Sequence, residues 1–298
     1  MNNMPYAKFL LYLQYEKRYS KHTITAYGKD LKQFFDFIAT TYQINDSSQI
    51  THFYIRSWVV SLLEQKLDAR SVNRKISSLK TLFKFFLREK TIVHNPMLKI
   101  TAPKVSKKLP VFVDKTKMDM LLDGVPFKEG FPGIRDKLII NMFYQTGMRL
   151  SELINLTDKD IDLYNLSIKV LGKRNKERII PIIPELKNDI LNYLNERKSY
   201  LNPEKSVTAF FIKNDGNKLY PKFVYKVVNT MLRAVTTNTK RSPHVLRHSF
   251  ATEMLNSGAE INAIKEILGH SNLAATQVYT HNTIDKLKNI YKQAHPKA

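Results

Sequence analysis

Apolar residues recur at helical spacing through the first hundred positions. Residues 5–17 put Phe9, Leu10, Leu13 and Tyr15 mostly inward, which predicts an amphipathic helix. Ser20 is placed to cap a second helix over 20–42, where Ile24, Tyr27, Leu31, Phe34, Phe35 and Ile38 keep the 3.6-residue period. Lys21, His22, Lys29 and Lys32 fall largely on its other faces. A turn at 45–49 leads to a third helix over about 51–64, which carries Trp58, the only tryptophan. The fourth starts near Asp68 and runs to about 90. Val72, Ile76, Leu79, Leu82, Phe83 and Phe86 are its core positions, and Arg70, Arg74, Lys75, Lys80 and Lys84 its exposed ones.

A Pro/Lys-rich stretch, TAPKVSKKLP at 101–110, interrupts the pattern. It divides the chain into a helical domain over 1–100, a linker over 101–112 and a second domain over 113–298 with a tail at 283–298. In the second domain Asp114 or Thr116 caps a helix at about 115–122. Another helix covers 134–147, with Gly147 at its end and Arg149 at its mouth. Glu152 has two readings, a helix-start cap through Ser151 or a group that orients Arg149. From 158 to 183 the period switches to two, which predicts a small antiparallel meander with turns near 164–165 and 172–175. A helix from Pro184 to about 200, a short buried strand over 208–212 and a helix from Pro221 follow. The last helix, at about 284–291, is too short and polar to stand alone. The fold class is therefore mainly α with a small antiparallel β-sheet.

Composition changes the picture mainly through charge. The 298 residues contain 48 Lys/Arg and 26 Asp/Glu, a net charge of +22. Solubility of a small domain needs only about 2–8, so a polyanionic partner is implied. The excess is spread along the chain: 17 basic against 7 acidic residues up to position 106, and 31 against 19 beyond it. Both parts are thus expected to touch the polyanion. A single basic residue on a helix face is more often solvated than in contact. As a set, Arg70, Arg74, Lys75 and Lys80 are expected to bind phosphates, because acids are scarce between 69 and 88. Lys104 and Lys107 could track a backbone past the linker, and Lys222 and Lys226 could face a groove. There is no cysteine, hence no disulfide scaffold, thiolate zinc site or Cys nucleophile. No signal peptide, membrane-length apolar run or lipidation signal is evident, so a soluble cytoplasmic protein is expected, with no membrane partner. Metal-ligand spacing and a Gly-rich phosphate loop are both lacking, so neither metal nor cofactor is expected.

The chemistry gathers between 242 and 280. His244 and Arg247 are three apart and share a face on a helix that Pro243 starts and Ser242 is placed to cap. Leu268-Gly269-His270-Ser271 closes the next helix, and Tyr279 follows nine residues after His270. Guanidinium, imidazole and phenol groups are what attack on a phosphodiester requires. Arginines balance charge on the non-bridging oxygens, imidazoles move protons, and the phenolate is the nucleophile. A lone histidine is usually structural and a lone tyrosine usually core or rim, so the case rests on their company.

PHVLRHSFAT at 243–252, LGHS at 268–271, TQVYTH at 276–281 and TGMRLSEL at 146–153 resemble the catalytic boxes of the tyrosine recombinase (phage integrase) family, Xer type. HTITAY at 22–27 and RSVNRKISSLK at 70–80 resemble its N-terminal part. The resemblance implies a SAM-like four-helix core-binding domain and an α+β catalytic domain that form a C-shaped clamp on double-stranded DNA. It implies the catalytic set Arg149, Lys173, His244, Arg247, His270 and Tyr279. In that set Tyr279 is the nucleophile, His244 its base, His270 a hydrogen-bond donor to phosphate, and Lys173 the acid for the leaving 5′ oxygen. Arg174 stands where the family usually has glycine in its GKGxKER hairpin, making the turn stiffer or more cationic. The implied partners are a homo- or hetero-tetramer with a related recombinase on two DNA sites, and a DNA translocase that activates it. The tail would pack into a neighbouring protomer, so that deleting 283–298 would spare single-subunit DNA binding. The implied role is resolution of chromosome dimers at a dif-like site during segregation and cell division. The rivals are a mobile-element integrase, which the lack of an extra N-terminal arm-binding domain disfavours, and a non-catalytic DNA-binding protein on this fold.

Overall fold

The computed structural model describes residues 4–106, 111–172, 176–201, 208–269, 290–291 and 293–296. Lys107, Lys173, His270 and Tyr279 lie outside them. The chain divides into two units, Met1–Lys108 and Leu109–Ala298. Among the described residues no helix is long and apolar enough to cross a membrane.

The first unit consists of α1 (Ala7–Tyr15), α2 (Lys21–Tyr42), α3 (His52–Glu64) and α4 (Ala69–Arg88), with short 3-10 turns. The caps are those the sequence offers. Ser20 Oγ accepts the Thr23 N–H at 3.2 Å and Asp68 Oδ1 accepts the Ser71 N–H at 3.0 Å. Phe9, Leu13, Leu31, Phe34, Ile38, Trp58, Leu79 and Phe83 form a common core. Trp58 stacks edge-on against Phe34 at 5.1 Å. Tyr15 does not join it. It is 68% exposed, because it lies about 200° around the helix from Leu13.

Lys75 is a second correction. It was expected on the exposed face of α4, but it is buried and its Nζ lies 3.0 Å from Asp30 Oδ1 and 2.6 Å from Gln33 Oε1. Asp30, 1% exposed, also receives both terminal nitrogens of Arg74, one of them at 2.9 Å. The scarcity of acids within α4 misled the reading, since the counter-ion comes from α2. A buried carboxylate needs such partners.

In the second unit the order is α5 (Lys115–Asp119), a π-turn over Met120–Gly124, α6 (Phe131–Thr146), α7 (Leu150–Asn155), β1 (Ile161–Asp162), β2 (Ser167–Leu171), β3 (Glu177–Pro181), α8 (Pro184–Arg197), α9 (Pro221–Val235), α10 (Pro243–Asn256) and α11 (Ile261–Leu268). Asp114 caps α5 by accepting the Lys117 N–H at 3.0 Å. Helix α6 starts at 131 rather than 134, with Pro132 in its first turn. It is buried on nearly every side, as a helix surrounded by α8, α9 and α10 must be.

The sheet is an antiparallel β1-β2-β3 meander, with Ile168 opposite Ile180 and Val170 opposite Arg178. Residues 208–212 are no strand of it. Thr208 is exposed and 209–212 are buried, and the run pairs only through isolated bridges, Thr157 with Ala209 and Ile212 with Lys218. Phe210 and Phe211 fill space beside Tyr193, so burial alone produced the apolar run.

The described part of the tail serves its own chain. Tyr291 is 1% exposed, its hydroxyl donates to the Gln145 carbonyl at 2.7 Å, and its ring lies 4.5 Å from that of the equally buried His295. Deleting 283–298 therefore strips core as well, and DNA binding by the truncated chain is expected to suffer with it. Tyr291→Ala is expected to lower stability by about 3–5 kcal/mol, as aromatic-to-Ala core changes do, measured by urea unfolding.

Candidate active site

Gly147 decides where the site opens. It ends α6 with φ 59, and its N–H returns to the Phe143 carbonyl at 3.0 Å. A Cβ there would lie 2.5 Å from Phe250 and 2.7 Å from Leu268. Both the left-handed backbone and the close packing thus demand glycine. The turn sets Arg149 at the N-cap of α7, two residues on.

Helix α10 supplies the facing groups. Ser242 precedes it in extended conformation without a side-chain cap bond, and Pro243 occupies its first turn. His244 and Arg247 share one face, as their spacing predicts. They line a pocket of about 100 Å³ with Met148, Arg149, Leu150, Tyr225 and Pro243. That is below the roughly 300–1,000 Å³ of small-molecule sites, and it suits a compact anion such as one phosphate group.

The two arginines are held from behind. Arg247 is buried and donates to the Gly147 carbonyl at 2.5 Å and the Leu268 carbonyl at 2.7 Å. Arg149 donates to Glu152 Oε1 at 2.8 Å and to the Gly269 carbonyl at 2.9 Å. Among the described residues each guanidinium thus uses two of its five N–H donors on the protein, which leaves donors for an anion. Burial, then the charges of Arg149 and Arg178, push Arg247 down to about 9, still well above neutrality, so it stays cationic.

Glu152 orients Arg149, and the helix-start cap it forms runs through the Arg149 N–H rather than through Ser151. Its Oε2 accepts the Arg149 backbone N–H at 2.7 Å, while its Oε1 holds the Arg149 side chain. Burial alone would raise its carboxyl, but the hydrogen bonds and charge of Arg178, followed by those of Arg149, hold it down at about 2. A carboxylate depressed in the folded state stabilises above its ordinary value of 4.5, and this contribution is lost as pH falls toward 2.

His244 is pushed below its ordinary 6.5 by burial first, then by the charges of Arg247, His248 and Arg149. The neutral imidazole therefore dominates at pH 7, and only that form accepts a proton. If His244 is the base, single-turnover cleavage is expected to be flat from pH 8 to 7. It should fall about tenfold per pH unit only beneath a pKa lower than 6.5.

Arg149, His244 and Arg247 are thus brought together, while Lys173, His270 and Tyr279 lie outside the described residues. Tyr225 was missed. Its signal was an aromatic between Lys222 and Lys226 on α9, and it is exposed while Val224, Val227 and Val228 are buried.

Of the residues expected to meet phosphates, Arg70, Lys80, Lys104, Lys222 and Lys226 are exposed. Arg74 is half-exposed but paired with Asp30, Lys75 is buried, and Lys107 is not described. Arg70→Ala is expected to weaken duplex binding and reduce the slope of log affinity against log salt by about 1. Lys75→Met should leave that slope unchanged and cost about 2 kcal/mol of stability. Mobility shifts across a salt series and urea midpoints check the pair.

Residues 115–286 match the phage integrase family, and residues 7–90 match the phage integrase N-terminal SAM-like domain. The chain is 37% identical to the tyrosine recombinase XerC of Halalkalibacterium halodurans, over 100% of this chain and 99% of that one. It is 34% identical to the tyrosine recombinase XerD of the same organism, over 98% and 97%. Among solved structures, the XerH site-specific recombinase in its post-cleavage complex with palindromic difH substrate matches with a TM-score of 0.69. That match has 24% identity and covers 89% of this chain and 78% of that one, a likeness of fold.

Proposed function

Because this chain belongs to the phage integrase family of tyrosine recombinases, we propose that its arginine pocket seats the scissile phosphate for attack by Tyr279. The protein is a site-specific recombinase that cuts and rejoins DNA. Tyr279 Oη attacks phosphorus in line, forming a 3′-phosphotyrosyl bond as the phosphorus–5′-oxygen bond breaks. His244 accepts the phenol proton, and Lys173 gives one to the departing oxygen. Arg149 and Arg247 hold the non-bridging oxygens, on which negative charge accumulates in the transition state. His270 donates a further hydrogen bond there. The phosphotyrosyl bond keeps the energy of the broken linkage, and a partner strand's 5′-hydroxyl reverses the step, so no nucleotide is consumed.

The single observation that carries this reading is the joint presence of Arg149, His244 and Arg247 around one phosphate-sized cavity, with both guanidinium groups fixed from behind. The exposed basic residues Arg70, Lys80, Lys104, Lys222 and Lys226 hold the duplex. Four protomers, alone or with a related recombinase, act on two sites, and chromosome dimers are resolved at a dif-like site during segregation and cell division. Full-length similarity to relatives named XerC and XerD supports that assignment. The test is a nicked suicide duplex carrying the host's dif-like site, run on a denaturing gel after incubation. A covalent adduct is expected there and not on a duplex with a scrambled core. Equal adduct on both would remove the site assignment, and no adduct on either would remove the cleavage assignment.

A further inference from the structure

Arg178 takes no part in the chemistry above, yet its side chain is 5% exposed, on the core-facing side of β3. It donates through Nε to the Ile267 carbonyl at 2.6 Å, and through Nη1 and Nη2 to the two Glu152 oxygens at 2.7 and 2.9 Å. Glu152 in turn carries Arg149 by both backbone and side chain. Three successive carbonyls at the end of α11 therefore each receive one arginine: Ile267 takes Arg178, Leu268 takes Arg247 and Gly269 takes Arg149.

Two glycines close on the same ion pair. A Cβ at Gly172 would lie 3.5 Å from Arg178 Nη1 and 3.6 Å from Glu152 Oε1, and one at Gly269 would lie 3.1 Å from Arg178 Cδ. Gly172 immediately precedes Lys173, and its N–H closes the hairpin onto the Lys176 carbonyl at 2.8 Å. Gly269 immediately precedes His270. The Arg178–Glu152 pair thus lies beside Gly172, which leads to Lys173, and beside Gly269, which leads to His270, and its Glu152 holds Arg149. Stability alone does not call for it, since a buried ion pair is often no better than an apolar pair of the same size. A rigid bidentate fork does serve register, which a lysine at the same place cannot supply.

We propose that Arg178, acting through Glu152, is a positioning residue that keeps Arg149 and the Lys173-bearing hairpin in one register, an inference that rests on Lys173 being the acid. Arg178→Lys keeps the charge and loses the fork. Its single-turnover cleavage of the suicide duplex is expected to fall on the order of 100-fold, the scale of a misplacement of about 1 Å. Mobility shift and thermal midpoint should stay near wild type.

The discriminating substrate carries sulfur in place of the 5′ bridging oxygen, because a thiolate leaves without a proton. The part of the loss in Arg178→Lys that comes through Lys173 is expected to be recovered on it, as is the loss in Lys173→Ala. Undiminished cleavage by Arg178→Lys overturns the proposal, and so does a loss that tracks loss of folding or of DNA binding. A deficit that sulfur leaves intact in Arg178→Lys, while it rescues Lys173→Ala, overturns the role of Arg178 alone. If sulfur fails to rescue Lys173→Ala, the acid assignment falls and takes the hairpin role with it. Should Arg178→Lys not fold, Glu152→Asp, which retracts the same pair by one methylene, is expected to lose cleavage on the same scale, with sulfur recovering only the part that comes through Lys173, because Glu152 also holds Arg149 directly.

Discussion

Tyr279→Phe is expected to abolish the covalent adduct, lowering its rate of formation at least about 10,000-fold, the scale on which removal of a nucleophile acts. Only one oxygen is lost, so the mobility shift on the same duplex should persist within about twofold. The two readouts separate chemistry from binding. The substitution leaves the arginine pocket and the basic faces proposed to hold phosphates unchanged. A wild-type level of adduct in Tyr279→Phe would move the nucleophile to another residue. Loss of adduct together with the shift would mean that Tyr279 acts in binding or folding instead.

Arg247 has the second largest expected effect, and the structure determines its form. Arg247→Lys keeps a cation but cannot bridge the Gly147 and Leu268 carbonyls while also reaching a phosphate oxygen. Cleavage is expected to fall about 1,000-fold, as on loss of an oxyanion donor, with binding changed severalfold at most. Arg247→Ala does further harm. It orphans two buried carbonyls at about 1–3 kcal/mol each, so its urea midpoint should drop as well. Cleavage by Arg247→Lys within tenfold of wild type would show that the pocket is not where the phosphate sits. Equal stability of Arg247→Ala and wild type would show that the carbonyl clamps are unimportant.

These variants differ because Arg247 does two things, of which only one was legible beforehand. The three-residue spacing of His244 and Arg247 foretold a shared helix face, and they share one. Gly147 foretold the end of α6, and the chain turns there. The cap at Ser20 was equally readable, and Asp114 was one of the two candidates for α5, because a side chain and an N–H three residues away settle such caps locally. The period-two stretch gave the three-stranded meander.

The partners themselves were not readable. Lys75 was expected to face solvent because its neighbours on α4 are basic, but its carboxylate, Asp30, comes from α2, 45 residues away. The run at 208–212 resembled a strand, and burial against Tyr193 explains its composition without one. Tyr291 and His295 looked like parts of a detachable tail, and they complete the core beside α6.

By itself, then, the sequence determined most of the helices, the three-stranded meander and the shared helix face of His244 and Arg247. Those properties depend on hydrogen bonds and periodicity within a few residues. Only the tertiary structure decided which charges are available and which are already held, including the use of Arg149, Arg178 and Arg247 on the end of α11. That outcome depends on counter-ions and carbonyls supplied by distant elements, whose arrival no local pattern records.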